Sequence, residues 1–155
     1  MSQEFNLKAK KVYNDSGEIS GGGGSQIGAR IRIPGLLSGF GTTALIPYTS
    51  GDAEFDTSSM VVTNGFQIPS TGIYQVCFYC YSPTNSSFVT AYYKLNSNDP
   101  TGSIGFAPTI PGGGGYFATT TTAMHFSLTA SDIIYFFAYA PQGQIGNIQI
   151  SVVKA

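Results

Sequence analysis

Charge is what this sequence has least of. Only 10% of its residues are Asp, Glu, Lys or Arg, against roughly 25% in an average soluble domain. With a formal net charge of −1, repulsion does little to keep copies apart, so much of the surface is expected to be covered. Nucleic acid is not expected as a partner. A phosphate-binding surface needs clustered Lys and Arg, and after Lys11 only Arg30, Arg32, Lys94 and Lys154 remain. No stretch is long and apolar enough to cross a bilayer as a helix, and MSQEFNLKAKKVYNDS at the N-terminus lacks the apolar core of a signal peptide. Neither general export nor membrane insertion is therefore expected. There is no tryptophan, and there are two cysteines. Cys77 and Cys80 stand three apart in an extended segment, point to opposite faces and are expected to be free thiols, as in a reducing cytoplasm. Without a second cysteine pair or a His-x-His, their C-x-x-C spacing makes no zinc site.

Catalytic signatures are missing as well. No P-loop, G-x-S-x-G, H-E-x-x-H or dinucleotide fingerprint occurs. The single histidine, His125, lies between Met124 and Phe126, with only Ser127 and Asp132 near it in sequence. A strand histidine on the wetter face is the expected reading, and no enzyme activity is expected.

What is abundant is the material of β-structure: 11 Phe, 10 Tyr, 20 Gly and 8 Pro in 155 residues. Aromatic strands and Gly/Pro turns predict one all-β domain with almost no helix. Residues 1–20 differ from the rest, holding Lys8, Lys10 and Lys11 beside Phe5, Leu7 and Tyr13. They read as an arm, with those six residues as the anchor to an acidic partner. Residues 21–28 form a Gly-rich linker, and 29–155 form the body. The GGGGS run has the composition of an engineered linker, yet PGGGGY recurs at 111–116, so glycine runs also fit the chain's own habit.

Within the body, ARIRIP (29–34) alternates Ile31 and Ile33 against Arg30 and Arg32. A hairpin-like pair of segments is expected over 51–65, closing at Asn64-Gly65. Ile68 to Gly72 should turn the chain, with Gly72 in a conformation other residues resist. Further strands are expected at 88–95, around Met124 to Leu128, at 133–140 and at 145–153.

Two of these strands break the usual alternation. In the segment 65–81, Tyr74, Val76, Phe78 and Cys80 line one face, while Ile73, Cys77, Tyr79 and Tyr81 line the other. In IIYFFAYA (133–140), Ile134, Phe136 and Ala138 oppose Ile133, Tyr135, Phe137 and Tyr139. One face fills the space between two sheets. At about 25 cal/mol per Å2, leaving the second wet would forgo several kcal/mol, so it is expected to pack on another copy.

The order NGFQIPSTGIYQV (64–76), a central aromatic strand, FSLTASDIIYFFAYA (126–140) and a β-branched C-terminal strand resembles the jelly-roll family of tumour necrosis factor and the globular head of complement subcomponent q. The matching motif residues are Gly65, Phe66, Pro69, Gly72 and Tyr74, then Leu128 and Asp132, and the similarity spans residues 40–155. The resemblance implies a jelly-roll sandwich of two antiparallel sheets in a compact homotrimer, with Tyr79, Tyr81, Tyr135, Phe137 and Tyr139 facing sister chains. It also implies recognition, not chemistry. The chain departs from animal members in having no collagen-like stalk and no secretion signal. Viral spikes and fibre heads use the same jelly roll, so the expectation is a virion surface protein, a head fibre, spike or decoration protein. The alternative is a soluble complement-q/TNF-like module, secreted or on a bacterial surface.

Other sites are weaker. Asp52, Glu54 and Asp56, at i, i+2 and i+4, would share one strand face about 7 Å apart and are the candidate calcium ligands, beside the plainer reading of a solvated sheet edge. The Ser-, Asn-, Pro- and Gly-rich loops at 82–87, 96–103 and 107–115 are candidate contacts for a receptor or glycan.

Overall fold

The computed structural model describes residues 12–14, 17–19, 26–83, 89–105 and 118–155, with the backbone alone at 12–14, 17–19, 82, 105 and 118–123. Two short strands, β1 (Val12–Asn14) and β2 (Gly17–Ile19), pair only with each other. The body follows as β3 (Gly28–Ser38), β4 (Ala44–Leu45), a 3-10 turn (Ser50–Asp52), β5 (Ala53–Asp56), β6 (Val61–Val62), β7 (Gly65–Gln67) and β8 (Gly72–Ser82). Then come β9 (Thr90–Leu95), β10 (Ile104–Gly105), β11 (Ala118–Leu128), β12 (Ile133–Tyr139) and β13 (Gln144–Lys154). All pairings are antiparallel. They build a five-stranded sheet in the order β11-β8-β13-β3-β5 and a six-stranded sheet in the order β10-β9-β12-β7-β6, with β4 also on β12. This is the two-sheet jelly roll that the strand spacing and the resemblance imply.

The core lies where the two sheets face each other. Ile31, Tyr74, Val76, Phe78, Ile148 and Ile150 from one sheet meet Phe66, Ile134, Phe136 and Ala138 from the other, all without exposed surface. The Phe136 ring joins the layers, 6.1 Å from Phe78 and edge-on at 5.9 Å from Phe66. Each such ring contributes about 1.5–3 kcal/mol by leaving water. The face assignment for β8 holds residue by residue: Tyr74, Val76, Phe78 and Cys80 are buried, Ile73 is 55% exposed, and Cys77, Tyr79 and Tyr81 are half-buried.

In β13 the apolar residues Ile145 and Ile148 are three apart, which in a regular strand would set them on opposite faces. A bulge at Asn147, which adopts a left-handed φ of 45°, absorbs the extra residue, and both side chains reach the core.

The motif residues have separate physical reasons. A Cβ on Gly65 would stand 2.7 Å from Ile133 Cγ2, so β7 and β12 approach only because that side chain is missing. Tyr74 is buried and donates its hydroxyl to the Ser70 carbonyl at 2.7 Å, fastening the turn before β8. Gly72 corrects the expectation of a special backbone, since it has no left-handed φ. Its role is space, because a Cβ there would meet the Lys154 stem at 2.5 Å. Asp132 ties the loop between β11 and β12, accepting from the Thr129 N–H at 2.8 Å and from the Asn96 amide at 2.9 Å.

One expected hairpin divides differently. The Asn64-Gly65 turn joins β6 to β7, while β5 leaves for the other sheet and pairs with β3. Asn64, at φ 62°, takes the left-handed position and accepts the Tyr48 N–H through its side chain at 3.1 Å.

Candidate functional site

The site follows from the outer face of the five-stranded sheet. Register sets Gln149 between Arg32 and Tyr79, and Ser151 between Arg30 and Cys77, so side chains of β3, β13 and β8 stand in rows across that face. Between the rows runs an open groove of about 400 Å3, lined by Arg30, Arg32, Cys77, Tyr79, Asn147, Gln149 and Ser151 above the backbones of Phe78 and Ile150. Alternation explains the arginines: with Ile31 and Ile33 turned into the core, Arg30 and Arg32 must both point outward.

The charges in the groove are unevenly matched. One carboxylate, Glu54, lies 3.8 Å from Arg30 Nη1 and 3.7 Å from Arg32 Nη1. These exceed hydrogen-bond length, and all three side chains are substantially exposed. Arg30 also sits over the Phe55 ring at 5.7 Å. The remaining described cations are engaged elsewhere, Lys94 with the carbonyls of Asp99 and Thr101, and Lys154 with Ser70 and the Thr71 carbonyl. The ARIRI alternation carried the signal for the arginine pair. No sequence signal joined Glu54 to it, because that contact depends on β5 crossing to β3.

The aromatic residues expected at one interface are divided between two sheets. Tyr79 and Tyr81 are half-buried on the outer face of β8, and Tyr79 lines the groove. Tyr135, Phe137 and Tyr139 belong to β12 in the six-stranded sheet, whose outer face looks the opposite way. Phe137 has no exposed surface within a single chain and lies outside the central core cluster. That corrects its assignment, since a side chain already covered by its own chain offers nothing to a sister chain. Both strands are two-faced in sequence, and only the sheet order separates them.

The acidic triplet is corrected too. Asp52 is not in a strand: it caps the 3-10 turn, accepting from the Thr49 N–H at 2.8 Å. Asp56 accepts from the N–H groups of Met60 at 2.7 Å and Val61 at 2.8 Å, holding the turn into β6. Glu54 goes to the arginines. Each carboxylate therefore has its own work, and no group of three metal-ligating side chains converges among the described residues. His125 is exposed on β11, opposite Gln75 in register. Of the anchor residues, Tyr13 falls on β1, where only the backbone is described, and Phe5, Leu7, Lys8, Lys10 and Lys11 lie outside the described residues. So do most of the loops at 82–87 and 107–115, while in the 96–103 loop Asp99 is tied to Thr101 and to Ser97.

The two-sheet jelly-roll fold is one that this chain shares with several solved structures. The PRD1 vertex protein P5 shares the fold at a TM-score of 0.56 and 13% identity, over 82% of this chain and 95% of that one. Murine APRIL matches at 0.54 and 12%, over 83% and 99%. The globular domain of zebrafish complement 1qA protein matches at 0.53 and 14%, over 83% and 96%. At such identities the likeness is one of fold. No family model and no curated protein sequence matches the chain, and no helix among the described residues is long and apolar enough to cross a membrane.

Proposed function

We propose that this chain is a non-enzymatic, homotrimeric jelly-roll head on the surface of a virion, a head fibre, spike or decoration protein held to the capsid by its N-terminal arm. The observation that carries the reading is the second face of the five-stranded sheet, where Cys77, Tyr79 and Tyr81 are half-buried and Ile73 is exposed. Such a face is stabilised when other copies cover it. Likeness to a protein named as a vertex protein supports the particle setting. The mass in solution by light scattering tests the trimer: three times the 16.3 kDa chain is expected, stable to dilution, and lost in Tyr79→Lys. A monomeric wild type would refute it.

The likeness to a complement-1q head and to murine APRIL favours a second reading, a soluble recognition module. An antibody against the head separates the two. Labelling of intact particles supports the first, and antigen only in particle-free medium supports the second.

A further inference from the structure

Covering this face creates an electrostatic problem that the chain does not solve by itself. Two guanidiniums and one carboxylate leave one excess positive charge per chain in the groove, and both arginines reach Glu54 only at 3.7–3.8 Å. Neither arginine donates a hydrogen bond to any described residue within the chain, whereas the described lysines are each held by carbonyl or hydroxyl oxygens. In water such a cluster costs little. Removed from water by a neighbouring copy, an uncompensated guanidinium costs several kcal/mol.

We infer that the groove binds a small oxyanion from solution, of phosphate or carboxylate chemistry, at the guanidiniums of Arg30 and Arg32, whose shared partner Glu54 is not among the residues that line it. The chemistry fits the lining. Arginine presents a planar fork of donors that matches a two-oxygen acceptor, and two of them at i and i+2 on one strand present two forks to one space. Gln149, Ser151 and Asn147 supply neutral donors along the same groove, and Tyr79 closes one side. The oxyanion neutralises the excess charge before the face is covered, so assembly and anion uptake are coupled. That coupling rests on the proposed trimer, while the site itself belongs to one chain.

The test is calorimetric titration of the full chain with inorganic phosphate, at an ionic strength held constant with chloride, with the mass measured by light scattering in the same samples. Saturable binding is expected, weakened at least about tenfold by Arg32→Gln and unchanged by Lys94→Gln, whose cation lies in the other sheet. Because Arg32 is exposed, the substitution should leave the fold intact, which the melting curve checks. A trimer that ignores phosphate, or binds it equally with Arg32→Gln, overturns the site and leaves the trimer standing. A monomer that binds phosphate through Arg32 keeps the site and overturns the trimer. A monomer that ignores phosphate overturns both.

Discussion

Tyr48 shows how a single polar atom can work against the fold around it. Its ring is buried and packs 5.6 Å from Phe66, but its hydroxyl is buried with no hydrogen-bond partner among the described residues. Burial, and then the nearby Tyr135 hydroxyl, push its pKa well above the ordinary tyrosine value, so the group stays neutral and still pays for lost hydration. Tyr48→Phe is expected to leave stability unchanged or raise it by about 1 kcal/mol in urea unfolding. A loss of that size would mean the hydroxyl has a partner. At Asp56 the balance is reversed, because two short backbone hydrogen bonds depend on one carboxylate. Asp56→Ala should cost about 2–3 kcal/mol, and a neutral result would show that the turn into β6 holds without it.

Among the elements, the connection between β11 and β12 depends on a charge. The Asn96 amide, and then the Thr129 N–H, hold the Asp132 carboxyl below the usual carboxylate range. Its folded pKa therefore lies under the unfolded value of about 3.9. The stabilisation is complete above that value and is lost as pH falls through the folded pKa. Stability measured below pH about 4 should fall less steeply in Asp132→Asn than in the wild type, and superimposable acid limbs would rule out this role. The same residue was legible as a motif position, but its partner was not: Asn96 lies 36 residues away, at the end of β9. Bulged β13 shows the same limit. The sequence marks a strand there, while the phase shift at Asn147 depends on pairing with both β3 and β8.

For the whole molecule the two thiols report whether the proposed interface forms. Cys80 is buried in the core, and desolvation raises its pKa far above that of an ordinary thiol. Cys77 faces the groove and is half-buried. With a thiol reagent at pH about 8, near the ordinary cysteine pKa, Cys80 should react only on unfolding. Cys77 should react quickly in monomeric Tyr79→Lys and slowly in the wild-type assembly. Equal rates at Cys77 would place the contact between copies on another surface, the outer face of β12 included, where Tyr135 and Tyr139 are half-buried.

The sequence by itself determined the all-β class, the strands, and which residues of β8 and β12 turn to the core, because side-chain alternation is a local property of an extended backbone. It also contained the Gly65 to Tyr74 motif and the outward arginine pair. Only the tertiary structure decided that β8 and β12 lie in different sheets, that Phe137 is covered by its own chain, that Asp52 and Asp56 each hold a turn, and that Glu54 meets Arg30 and Arg32. Those facts depend on which strands become neighbours. Pairing between segments distant in sequence is set by the packing of the whole sandwich, and no local pattern encodes it.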